Sequence, residues 1–134
     1  MRSRGRILLF LVAGVVIASC AQTPKHPGFE EAARSARLNA RSAEGSRYYR
    51  LVERSLGHEM RLAIEDCRRR EVDTRYALVL FRLDESGAIL ETILHPEDRL
   101  SRCIHDGIHV LPLPPPPKPD YWVMFGAPAT GNPL

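Results

Sequence analysis

The sequence lacks the short motifs by which the common enzyme classes are recognised. Its 134 residues contain no glycine-rich phosphate-binding loop, no nucleophile elbow and no Cys-x-x-Cys motif. Two acidic pairs, at residues 84–85 and 97–98, fit a turn and a helix start better than a pair of catalytic carboxylates. We therefore predict that the protein is not an enzyme and has neither a cofactor nor a small-molecule substrate.

A metal centre is not expected either, although two histidines have the spacing of one. His105 and His109 are four residues apart, like the two zinc ligands of a zincin helix. Asp106 stands where that motif has glutamate, and Gly107 weakens the helix. Both histidines are expected to point away from the apolar side of their helix, into solvent. We predict no metal site, and a metal-dependent hydrolase is accordingly disfavoured.

The N-terminus has the composition of a cleaved targeting segment. Basic residues precede an apolar stretch at residues 7–18, which is shorter than the roughly 20 residues that span a bilayer. Small residues then lead directly into Cys20, and this resembles the lipobox of bacterial lipoproteins. The resemblance implies a signal peptide at 1–19 and a lipid on Cys20. Because Ala21 is not aspartate, it also implies the outer membrane, facing the periplasm. The alternative is an ordinary anchor in which Cys20 has no role.

Removal of that segment changes the interpretation of the charge. The whole chain has a formal net charge of +3, and the segment contains Arg2, Arg4 and Arg6 but no acidic residue. The processed chain is therefore neutral and has no basic stripe of the kind that binds phosphate. We predict no nucleic-acid partner.

Two cysteines remain after lipidation, Cys67 and Cys103. An even pair in an oxidising compartment predicts a disulfide, and two buried free thiols are the alternative. A bond between them would close a loop of roughly 35 residues and stabilise the fold by about 3 to 4 kcal/mol.

Two helices are predicted from the spacing of apolar residues. Residues 48–70 repeat them at intervals of three and four, which indicates an amphipathic helix ending near Cys67. A second helix follows Pro96, with Cys103 at the edge of its apolar side. Residues 20–46 are predicted to be a lipid-anchored tether, in which residues 29–43 form a loosely docked helix or none.

Between these helices the sequence predicts a hairpin. Residues 76–83 and 88–95 are rich in β-branched and apolar side chains and are joined by a turn ending in Gly87. Ile89 and Ile93 are expected on one face of the second strand, with Leu90, Thr92 and Leu94 on the other. After the second helix, a proline-rich extended segment at 112–119 leads into a short last strand, Tyr121–Phe125.

This order of elements resembles the C-terminal domain of TonB and TolA. Residues 78–90 look like the family's first hairpin and 103–111 like its second helix. Residues 113–117 look like its proline segment and 121–125 like its last strand. The resemblance covers 47–126, leaving a tail at 127–134. It implies an α+β fold, with a small three-stranded antiparallel sheet and two helices packed on one face.

Departures from the family limit what the resemblance implies. The family's transducers hang from an uncleaved membrane helix, and the tether here reaches at most ~80 to 90 Å when fully extended. Cys103 is placed like a cysteine of the TolA branch, but Cys67 ends the first helix, whereas that branch keeps the partner cysteine in the first strand. Energy transduction by this chain alone is therefore not expected, and binding of a protein partner is.

The predicted partner-binding site is the last strand. Family members bind partners there by strand addition, which uses the unpaired backbone groups of an edge strand. The residues concerned are Tyr121, Trp122, Val123, Met124 and Phe125. Alternatively, these side chains only cover the sheet. The protein is thus expected to be an adaptor for envelope proteins in an envelope or transport complex, or else a structural subunit of an envelope or secretion assembly.

Overall fold

The structure is a computed structural model that describes residues 28–70 and 76–127. The predicted signal peptide, most of the C-terminal tail and Cys20 lie outside the described residues. The elements are, in chain order, α1 (Phe29–Arg41), α2 (Ala43–Arg70), β1 (Ala77–Leu83), β2 (Ile89–His95), α3 (Arg99–Ile108) and β3 (Tyr121–Ala127).

The predicted fold class is confirmed. The three strands form one antiparallel sheet in the order β2-β1-β3, and the helices pack against it. Because β1 lies in the centre, its backbone groups are paired on both sides. The outer strands β2 and β3 therefore each have an edge that faces away from β1.

The larger hydrophobic cluster, called here the major core, lies between the sheet and the helices α2 and α3. Alternate residues of β1 point into it, because successive side chains of a strand face opposite sides. Phe81 and Ile108 are fully buried there. The other members include Tyr48, Val52, Leu56, Met60, Val79, Leu83, Leu100, Ile104, Tyr121 and Val123. Two helices on one face of the sheet were predicted, and the amphipathic patterns of both explain why they pack there.

The opposite face of the sheet is covered by α1, which the sequence predicts only as a loosely docked helix or none. Phe29, Ala32 and Ala33 are buried against Leu80 and Ile93, and this cluster is called here the minor core. Small alanine side chains let the helix approach the sheet closely, so a weakly hydrophobic helix still excludes water from it. The helix α1 thus takes up much of the range 20–46 that is predicted as a tether, and only residues 20–28 of that range precede the helix.

A β-bulge in β2 overturns one expectation about the hairpin. Leu83 pairs with Ile89 and Arg82 pairs with Glu91, so Leu90 is an extra residue. An extra residue shifts the alternation of faces by one position. Ile89 therefore packs against the major core, whereas Ile93 is in the minor core. The prediction that Ile89 and Ile93 share one face is wrong for this reason.

The helix starts also differ in detail from the predictions. The helix α2 begins five residues earlier than expected, at Ala43, directly after the corner at Ser42. The helix α3 begins at Arg99, and Asp98 precedes it as the N-cap. The Ser101 backbone N–H donates to the Asp98 carboxylate over 2.8 Å, which satisfies one of the free amides at the helix start.

Candidate functional site

The five predicted partner-binding residues do lie together on β3, but most of them also pack within the domain. Tyr121 and Val123 are buried in the major core. Trp122 and Met124 pack against the minor core on the opposite face. Phe125 is half-buried, with its ring centre 6.0 Å from that of Phe81. A partner at this strand would therefore contact mainly its backbone.

Two backbone groups of β3 already have partners on its outer side. The Asn39 side-chain amide donates to the Trp122 carbonyl oxygen over 3.0 Å. The Met124 backbone N–H donates to the Tyr49 hydroxyl over 2.9 Å. Strand residues direct both backbone groups to one side, alternating along the chain. Trp122 and Met124 therefore face away from β1, and Asn39 and Tyr49 occupy part of the edge that a partner strand would use.

The sequence gives no sign of these two contacts. Asn39 is 83 residues from Trp122 in the chain, and Tyr49 is 75 residues from Met124. Asn39 lies in the segment predicted as a tether, and Tyr49 is expected from its spacing to be an ordinary apolar-side residue. The one hint in the sequence is that Asn39 is a polar residue in an alanine-rich segment, and this does not show which group its amide donates to.

Three tyrosines from α2 and β3 meet beside the start of β3. The ring of Tyr48 lies edge-on to those of Tyr49 and Tyr121, with centres 6.3 and 5.5 Å away. Burial raises the pKa of Tyr48 well above its ordinary value, and the neighbouring Tyr49 and Tyr121 raise it further. Burial also raises the pKa of Tyr49, although its bond to the Met124 amide opposes that shift. The Tyr48 and Tyr49 hydroxyls stay neutral near pH 7 and form hydrogen bonds to Pro114 and Met124, whereas the buried Tyr121 hydroxyl has no hydrogen-bond partner among the described residues.

The proline-rich segment packs along the first half of α2. The Tyr48 hydroxyl donates to the Pro114 carbonyl oxygen over 2.8 Å, and Leu113 and Pro116 are buried. An open groove of about 500 Å³ remains between residues 115–117 and the helix. The segment thus acts as a corner that delivers the chain to β3.

The predicted disulfide is confirmed. Cys67 near the end of α2 is bonded to Cys103 in α3, with 5.7 Å between the Cα atoms. The bond joins the two helices of the major core. Close packing beside it requires Gly107, since a Cβ atom there would lie 2.8 Å from the Cβ of Ala63. Gly107 therefore serves the helix contact, and α3 continues through it.

The structure brings His105, Asp106 and His109 together at the end of α3. Their potential ligand atoms all lie within 4.8 Å of one another, and the two imidazole rings stack with centres 4.9 Å apart. The His105 Nδ1 atom is 2.9 Å from the Asp106 carboxylate. His109 is exposed as expected, but His105 is half-buried beside Phe81. Imidazole and carboxylate are zinc ligands, so these are the described residues that could hold a metal. The absence of a metal site stays a prediction.

Comparison with known proteins identifies no relative: no family model, no curated protein and no solved structure matches the chain. None of the helices within residues 28–70 and 76–127 is long and apolar enough to cross a membrane.

Proposed function

We propose that the protein is a lipoprotein of the outer membrane, facing the periplasm, and that it binds other envelope proteins as an adaptor in an envelope or transport complex. The sequence before Cys20 supports the lipid anchor. The Cys67–Cys103 disulfide is what an oxidising compartment would favour. The observation on which the adaptor role rests is the open sheet, in which β3 is an edge strand.

In this proposal a partner adds a strand to the outer side of β3. Trp122 and Met124 would supply the backbone groups, because both face away from β1. The partner must replace the hydrogen bonds from Asn39 and to Tyr49. A hydrogen bond contributes about 0.5–1.5 kcal/mol net, and the partner's own bonds offset that loss. Asn39 and Tyr49 therefore act as competitors that hold the edge closed to weak partners.

The same two hydrogen bonds favour a second candidate function. If no partner replaces them, β3 is a strand whose edge is protected by the protein itself, as in many stable domains. The protein would then be a structural subunit of an envelope or secretion assembly, in which this domain contributes packing. The two candidates differ in whether the β3 edge contacts another protein.

In-cell photo-crosslinking of the full chain tests the adaptor proposal. A photoreactive phenylalanine derivative replaces Trp122, and mass spectrometry identifies the adduct. Met124→Pro removes a donor that faces outward, so it blocks strand addition without removing a hydrogen bond between β1 and β3. Thr92→Pro places the same residue on the outer side of β2 and serves as the control.

The proposal predicts one discrete envelope protein in the adduct, lost in Met124→Pro and kept in Thr92→Pro. No adduct, from a protein that is still folded and lipidated, would contradict strand addition at β3 and favour the structural subunit.

A further inference from the structure

The outer side of β2 is a second edge, and its outward residues follow from the register of the sheet. Met124 faces away from β1, so its partner Leu80 faces away from β3 and towards β2. Leu80 pairs with Ile93, which therefore faces β1. Alternation along β2 then directs the backbone groups of Thr92 and Leu94 outward.

Unlike β3, this edge receives no side-chain hydrogen bond from the described residues. Within residues 28–70 and 76–127, no hydrogen bond to the backbone of Thr92 or Leu94 from the outer side is present. The strand also lacks the lysine or proline residues by which edges are usually protected. Leu90 on the same strand is 51 % exposed. As far as residues 28–70 and 76–127 are concerned, four outward backbone groups are thus available to another strand.

The ends of this open stretch restrict how another strand can pair with it. At one end the bulge at Leu90 breaks the regular alternation. At the other end Pro96 has no backbone N–H. Only Thr92 and Leu94 lie between these limits with both groups directed outward, so a pairing strand must present two outward residues at the same spacing.

Any strand has residues at that spacing, but a second copy of the same edge also supplies a matching pair of side chains. When two copies of β2 run antiparallel with Ile93 on the two-fold axis, Thr92 of each copy lies opposite Leu94 of the other. Four backbone hydrogen bonds then form, and neither the bulge nor Pro96 takes part. The same register places Glu91 opposite His95 of the second copy, where the carboxylate can accept from the imidazole N–H. A two-fold axis at Thr92 would instead require the bulged Leu90 to pair.

On the side of the minor core only the start of α1 reaches β2, where the Phe29 ring lies against that of His95 with centres 4.3 Å apart. The rest of α1 packs mainly against β3. The Glu91 side chain is 40 % exposed, although it accepts from Arg82 over 3.0 Å. A carboxylate accepts several hydrogen bonds, and His95 of another copy can therefore share it with Arg82.

We infer that the protein forms a two-fold homodimer through β2, in which Thr92 pairs with Leu94 and Glu91 with His95 of the second copy. The dimer has one continuous six-stranded sheet. Its two β3 edges lie at the far ends, so the inference does not depend on what β3 binds.

Disulfide crosslinking of the full chain in oxidising membranes tests the inference. Glu91→Cys and His95→Cys together place two cysteines opposite each other across the dimer, at the close spacing of a non-hydrogen-bonded pair. Each single variant is the matched control, because residue 91 of one copy lies far from residue 91 of the other copy. The same holds for residue 95. We expect a covalent dimer from the double variant and none from either single variant. Equal yields from all three, or none from the double variant, would overturn the inference.

Two further variants test whether the crosslink could come from misfolded protein and whether a different protein binds the β2 edge instead. Adding Thr92→Lys to the double variant puts a charge at the pairing edge and should abolish the crosslink, with the unfolding midpoint retained. A crosslink that survives Thr92→Lys would contradict pairing at this edge. A photo-crosslinker at the exposed Leu90 should give an adduct with a second copy. An adduct with a different protein alone would overturn the homodimer.

Discussion

Reduction of the Cys67–Cys103 disulfide should destabilise the domain substantially. The bond spans 36 residues of sequence, and the chain-entropy relation gives about 4 kcal/mol for a loop of that length. Domains of this size have about 5–15 kcal/mol of total stability, so the loss is a large part of it. Cys67 is buried in the major core and stays there as a thiol, which means that reduction removes the cross-link while keeping the sulfur's packing.

Urea unfolding with and without reductant measures this difference. The single tryptophan, Trp122, is half-buried against α1 and reports unfolding by fluorescence. The Cys67→Ala, Cys103→Ala double variant is the control, and reductant should leave its midpoint unchanged. A loss below about 1 kcal/mol on reduction of the wild type would contradict this expectation, since it would mean that the unfolded chain gains little freedom.

Three other changes have distinct expected outcomes. Gly87→Ala should cost about 2–4 kcal/mol, because Gly87 has φ of 90° and a Cβ atom there would collide with the Leu113 carbonyl oxygen. Gly126→Ala is the control in thermal unfolding, because Gly126 is exposed and a Cβ atom there would meet only the flexible end of the Leu78 side chain, at 3.3 Å. Stability should fall as the pH rises above about 10, since burial raises the pKa of Tyr48 in the folded state above its unfolded value and the unfolded chain loses the proton first. Tyr48→Phe should flatten that decline in urea unfolding at several pH values, and an unchanged slope would contradict it. Cys20→Ser should abolish attachment of lipid, measured by labelling cells with radioactive palmitate; a variant that is still labelled would rule out the lipoprotein interpretation.

The elements that the sequence predicts best are those with a strong period. The apolar stripe of α2 and the hairpin strands each bury one face, and burial of one face requires a fixed spacing. The disulfide followed from the number of cysteines and their places at the ends of two predicted helices. In these cases local pattern and tertiary packing agree.

Two features of the fold depend on packing that has no local signal. The helix α1 has alanine where most core-facing helices have leucine, so its pattern understates how closely it docks on the sheet. The bulge at Leu90 comes from the pairing of β2 with β1, and alternation within β2 alone cannot show it. Both effects appear only when the neighbouring element is in place.

The strand that carries the candidate site can be predicted from the sequence, but the contacts at its edge cannot. The five residues of β3 do form an outer strand, as the order of elements indicates. The hydrogen bonds of Asn39 and Tyr49 to that strand join residues far apart in the chain, and they depend on how α1 and α2 turn at Ser42. A sequence pattern can place an edge strand, but it cannot tell which side chains protect the edge.

In the proposed adaptor function, a partner replaces the side-chain hydrogen bonds at the β3 edge. The most direct measurement is the yield of the Trp122 photo-adduct in three forms of the full chain: wild type, Asn39→Ala and Met124→Pro. Removal of the Asn39 amide frees the carbonyl oxygen of residue 122, so we expect the highest yield in Asn39→Ala and the lowest in Met124→Pro. Equal yields in all three, with the domain folded in each, would contradict it.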